Sequence, residues 1–177
     1  MYRLIPESYL LLSLVIVPFI GCVIAACMPA DARNRESLLA GGVALYGLVV
    51  SAFLYQEVGT GDIVRYQAAW LPMQGVDFVL RMDGLAWLFV MLVLGVGLLV
   101  VLYARYYMSP EDPVPRFFAF LLAFMGSMLG VVLSGNLIQL VVFWELTSLT
   151  SFLLIGYWHH RIDARRGARM ALSLIHI

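Results

Sequence analysis

A chain of 177 residues with 63% hydrophobic side chains, 12% charged ones and a mean hydropathy of +0.93 carries more apolar surface than a water-soluble core of that length can bury, and so belongs in a bilayer. Eleven basic residues balance eleven acidic ones, which leaves no excess charge to point to a nucleic-acid partner, and no basic run is long enough to anchor on lipid headgroups. All eleven cations are arginines, so the chain lacks the one cationic side chain that gives up its proton readily when buried.

Five apolar stretches reach or approach the roughly 20 residues that cross about 30 Å of hydrocarbon. They are residues 9–28, 38–55, 85–107, 117–134 and 137–157. Their hydrophobicity is continuous rather than alternating, which excludes the strands of a membrane barrel and predicts an all-α, polytopic membrane protein. The first stretch holds both cysteines, Cys22 and Cys27, with no nearby ligands for a metal pair, so they read as small lipid-phase residues. Its end, Ile24-Ala25-Ala26-Cys27, is similar to a lipoprotein cleavage box, but the run is too long for a signal-peptide core and is preceded by one cation, Arg3.

The breaks between stretches are sharp. "MPADARNRES" parts the first pair with a proline and mixed charges, "MSPEDPVPR" parts the third from the fourth with three prolines, and "SGN" is a minimal hairpin before the fifth. Only the loop 56–84 is long enough to hold structure outside the membrane. Its "YQAAWLPMQGVDFVLRMDG" alternates apolar residues and predicts a short surface hairpin. Asp83, just before Gly84, reads as a residue that stabilises the start of the third helix.

Positive residues in short loops stay on the cytoplasmic side. With the N-terminus outside, the inner segments carry Arg33, Arg35, Arg105, Arg116, Arg161, Arg165, Arg166 and Arg169, against Arg3, Arg65 and Arg81 outside. Eight against three predicts that orientation. Tyr103, Tyr106 and Tyr107, then Tyr157 and Trp158, are placed as interfacial aromatics at helix ends. After the fifth stretch, "MALSLIHI" begins like a sixth span and stops after one or two turns, and residues 172–177 resemble a translated sequencing adapter, so they are a candidate non-native tail.

The residue that carries chemistry is Glu145, in "LVVFWELTSLTSFLLIGYW". It follows Leu137 by eight residues, about 12 Å at 1.5 Å per residue, which sets it near the bilayer midplane. It is read as the only acid inside a span, the other ten lying in loops or at span ends. An ionised, unpaired carboxylate at that depth costs several kcal/mol, so it must be protonated, paired or hydrated. Desolvation favours its neutral form and a nearby cation favours its charged form, so a partner that approaches and retreats would load and unload a proton. Ser148, at i+3, and Thr147, Thr150 and Ser151 offer hydroxyls for a hydrated setting, although such groups commonly bond back to the preceding turn. Gly126, Ser127 and Gly130 in the fourth stretch, and Gly95 and Gly97 in the third, predict close helix approach. His159 and His160 are adjacent, point about 100° apart on a helix and have no companion ligands, so no metal site is expected. No sequence pattern for a cofactor or an enzyme's catalytic constellation is present.

Taken together, "RMDGLAWLFVMLVLGVGLLVVLYARYYM", "NLIQLVVFWELTSLTSFLLIGYWHHR" and "RRGARMAL" resemble the A-type subunit of the Mrp multisubunit cation/proton antiporters, from about Trp70 to Ala171. That family is similar in turn to the antiporter-like, proton-pumping subunits of respiratory complex I. The resemblance implies membership of a monovalent cation/proton antiporter, with sodium the first expectation. It implies other membrane subunits as partners, in the cytoplasmic membrane, and a transporter rather than an enzyme. It makes Glu145 an essential proton-transfer and coupling residue that works with a lysine on a later, broken helix, and it makes this chain an N-terminal fragment. The alternative that it leaves open is a proton-pumping membrane subunit of an NADH:quinone oxidoreductase-type complex.

Overall fold

The computed structural model describes residues 6–29, 33–108 and 114–158. Five long helices and one hairpin follow in chain order: α1 (Glu7–Ala26), α2 (Arg33–Val58), β1 (Val64–Leu71), β2 (Val76–Met82), α3 (Gly84–Tyr107), α4 (Val114–Leu133) and α5 (Leu137–Ile155). Every helix is long and apolar enough to cross a membrane. The five expected spans are therefore found, with ends that move by a few residues. The largest move is in α2, which begins at Arg33 rather than at residue 38.

That shift corrects one expectation. The sequence pattern puts Glu36 in the loop between the first two spans, but it lies in the first turn of α2 and within the stretch that qualifies as a span. The helix continues backward because nothing in "RNRES" breaks it, and the buried stripe of Ala40, Ala44, Val43 and Gly47 extends by four residues to Glu36.

The helix starts are capped as their sequences suggest. Asp83 Oδ1 accepts a hydrogen bond from the Ala86 amide at 2.9 Å, and Arg81 pairs with Asp83 at 3.2 Å across two exposed side chains. Asn136 Oδ1 accepts from the Gln139 amide at 2.7 Å and opens α5. Each cap satisfies a donor that the first turn leaves without a partner in the helix.

α4 is the central helix. It packs most extensively on α1 and then on α5, while α2 packs mainly on α3. The small residues of α4 let its neighbours come close, as expected. A side chain at Gly126 would meet the Phe19 ring of α1, and one at Gly130 would run into the Phe143 ring of α5. Gly97 of α3 meets Met125 in the same way, whereas Gly95 faces open space. Between α2 and α3, Trp87 Nε1 donates to the Ser51 carbonyl at 2.8 Å and its ring packs at a tilt of 43° on Tyr55, with centroids 4.6 Å apart.

The loop 56–84 forms the expected hairpin. β1 and β2 pair antiparallel from Val64 opposite Met82 to Leu71 opposite Val76. Gly75, at φ +68°, closes the connecting turn in the left-handed region that suits glycine. Val64, Leu80 and Met82 turn inward while Arg65 and Arg81 turn out, so the period of two matches a half-buried ribbon. The hairpin is stitched to the α4–α5 turn. The Gly135 amide donates to the Val79 carbonyl at 2.8 Å, the Val79 amide donates to Gln139 Oε1 at 2.8 Å, and Asn136 Nδ2 donates to the Asp77 carbonyl at 2.7 Å.

Candidate proton-transfer site on the fifth helix

The hairpin and α4 together fix α5. Gln139 is fully buried and holds the hairpin, Phe143 fills the notch over Gly130, and Thr150 is buried about two turns further along. At 100° per residue these positions share the face of α5 that lies against α4. Glu145 stands roughly opposite and is exposed.

Around Glu145 the outward face consists of Ile138, Val141, Val142 and Leu149, all exposed, with Ser148 and Phe152 half-buried beside them. A single carboxylate therefore sits midway along a helix in an apolar face that the described residues do not cover. Left in lipid, that arrangement is costly unless the group is neutral or meets a polar partner on another element.

The neighbouring hydroxyls turn to the backbone instead of to the carboxylate. Thr147 Oγ1 and Ser148 Oγ both donate to the Trp144 carbonyl, at 2.6 and 3.2 Å, and Thr150 Oγ1 donates to the Leu146 and Thr147 carbonyls at 2.8 and 3.1 Å. Thr147 and Thr150 lie on other sides of the helix. Ser148, about 60° from Glu145 on the helical wheel, shares its outward side. A shallow cleft of about 420 Å³ opens between the hairpin and the start of α5, lined by Gly75, Val76, Asp77, Val79, Asn136, Leu137 and Ile138; Glu145 is not part of it.

Other expected features fall elsewhere. Tyr103, Tyr106 and Tyr107 are exposed near the end of α3, with Tyr103 and Tyr107 stacked at 5.0 Å. Cys22 and Cys27 are free thiols. His159, His160, the start of a sixth span and the tail 172–177 lie outside the described residues. The feature that sequence reading misses is the burial of Glu36, and its spacing of four from Ala40 is the available signal.

Known proteins resemble this chain in sequence and in fold. The family described as NADH-Ubiquinone oxidoreductase (complex I), chain 5 N-terminus, matches residues 70–118. A probable K(+)/H(+) antiporter A/B subunit of Rhizobium meliloti (strain 1021) is 60% identical over 165 residues, 93% of this chain and 16% of that protein. The Na(+)/H(+) antiporter A-type subunit of Alkalihalophilus pseudofirmus is 49% identical over 116 residues, 65% of this chain and 14% of that protein. Among solved structures, the Mrp complex from Dietzia sp. DQ12-45-1b contains a chain that superposes with a TM-score of 0.68 at 29% identity, covering 82% of this chain and 16% of that one.

The chain thus spans about one sixth of the length of the curated relatives it matches. The longest of these alignments reaches well before Trp70, so the first two helices share in the likeness that the later motifs announce. It is a multi-pass membrane protein, homologous over that sixth to the A-type subunit of the Mrp multisubunit cation/proton antiporters.

Proposed function

We propose that this chain works as part of a monovalent cation/proton antiporter, assembled with other membrane subunits in the cytoplasmic membrane, its N-terminus outside. Glu145 is the residue that takes up and gives up the transported proton. The observation that carries this reading is the position of Glu145: midway along α5, exposed, in a face otherwise made of Ile138, Val141, Val142 and Leu149. A packing role would set the carboxylate against α4, where Gln139, Phe143 and Thr150 lie. Its outward position instead suits a group that meets a moving or hydrated partner. Thr147, Ser148 and Thr150 all bond backbone carbonyls of the preceding turn, and Ser148 is the one of them on the Glu145 side of the helix, where a bridging water would use it.

The named relatives include both potassium/proton and sodium/proton antiporters, so the cation is tested rather than assumed. In membrane vesicles carrying the intact complex, proton release is driven in turn by sodium and by potassium. Glu145→Ala and Glu145→Gln abolish both exchanges while the complex still assembles. Full exchange by either variant removes Glu145 from the mechanism.

A second reading has its own support. The matching family model describes a complex I chain, which fits a proton-pumping subunit of an NADH:quinone oxidoreductase-type assembly. Purification of the intact complex separates the two. Redox subunits that copurify, with proton movement driven by NADH oxidation, favour the second.

A further inference from the structure

Glu36 is fully enclosed, and both of its carboxyl oxygens are buried without a hydrogen-bond partner. It heads the stripe of α2 that faces the core, one turn before Ala40. Among the residues whose side chains are described, the charged and titratable groups that neighbouring elements carry at this end of the bundle are Cys27 after α1, Arg105, Tyr106 and Tyr107 on α3, Arg116 on α4 and Tyr157 after α5, with Arg35 on α2 itself. None of them hydrogen-bonds to Glu36 or forms an ion pair with it among the described residues.

An ionised carboxylate in that setting loses its hydration and gains no counter-charge. The dipole of the first turn of α2 returns only a small part of that loss. The neutral acid is therefore the form that the closed structure accommodates. Because the oxygens are inaccessible, no further helix or protein partner can reach them unless this end of the bundle opens. When it opens, water hydrates the carboxylate and the O–H bond can break, with the proton passing to solvent.

We infer that Glu36 is a second proton-holding site of this chain, a neutral carboxylic acid enclosed at the arginine-bearing end of the bundle, which exchanges its proton when the start of α2 opens to water. The inference rests on the transport reading only for the use made of that proton. The protonation of Glu36 follows from its enclosure alone.

Difference infrared spectroscopy of the purified intact complex in lipid, wild type against Glu36→Gln, tests this. The expected result is a protonated-carboxyl band at neutral pH, absent from the variant and lost on alkaline titration, together with a displaced pH profile of cation/proton exchange in the same vesicles. A carboxylate band alone at every pH, or a pH profile identical to wild type, overturns it. Glu36→Asp keeps the acid and carries the test should the glutamine variant not assemble. Its band then moves rather than vanishes, and an unmoved spectrum overturns the inference. Glu145→Gln retains the Glu36 band even where exchange is lost, so failure of this inference and failure of the transport reading give different results.

Discussion

Of the glutamates carried by the membrane-spanning helices, Glu36 and Glu145 have opposite surroundings. Glu36 is closed in on every side one turn into α2, whereas Glu145 stands midway along α5 on a face that the described residues leave bare. The difference follows from the helices that carry them. α2 turns a stripe of small and apolar residues toward α3, and Glu36 is drawn in at its head. α5 seats Phe143 over Gly130 of α4 and ties Gln139 to the hairpin, which leaves its other side, with the carboxylate, turned outward. One acid has its chemistry set by residues already present, and the other has its chemistry set by whatever covers α5.

Mutation separates the two glutamates and the packing around them. The largest effect is expected at Glu145, where replacement by alanine abolishes cation-driven proton movement in vesicles without loss of the assembled complex. Retained exchange would remove Glu145 from the mechanism and leave the reading of Glu36 untouched. Next is Gly130→Val, which drives a side chain into the Phe143 ring and pushes α5 off α4. Overpacking of this kind costs about 1–3 kcal/mol, read as a lower unfolding temperature of the complex in detergent. An unchanged melting temperature would mean that α5 is not seated on α4 in this way.

A smaller effect of the same sort is expected where the hairpin holds α5. Gln139→Leu removes the acceptor of the Val79 amide and leaves that donor unpaired, at about 1–3 kcal/mol for a fully buried group and less here, where the bond is partly buried. Faster hydrogen exchange at Val79 is the readout, and unchanged protection would contradict the stitching. The smallest effect is at Asp83. Asp83→Ala removes the cap of α3 at about 0.5–2 kcal/mol, while Asp83→Asn keeps a capping oxygen and changes stability little, a contrast that thermal unfolding of the two variants reads directly. The exposed pair with Arg81 adds almost nothing to either variant.

Much of this fold is legible in the sequence because bilayer thickness imposes a length that composition alone reveals. Five apolar runs become five helices, and the alternation in "YQAAWLPMQGVDFVLRMDG" becomes a hairpin whose register keeps Leu80 and Met82 inward. The capping role of Asp83 is readable for the same reason, since a short acceptor before a helix has few other uses. What the sequence does not disclose is direction. Hydropathy finds a span but does not say which face of it meets another helix, so the outward aspect of Glu145 needs the packing of Phe143 on Gly130 to be seen. Glu36 is easily misplaced because a charge beside two arginines resembles a loop, and only the continuation of the α2 stripe shows that it is enclosed. The hydroxyls of Thr147, Ser148 and Thr150 could serve either the carboxylate or the backbone, and in the structure they serve the backbone.

The most direct trial is infrared observation of the Glu145 carboxyl in the working assembly while a cation gradient is imposed and then collapsed. A carbonyl band that is missing from Glu145→Gln and rises and falls with the gradient is what proton transfer through this residue predicts. A band that holds steady while exchange proceeds would contradict it.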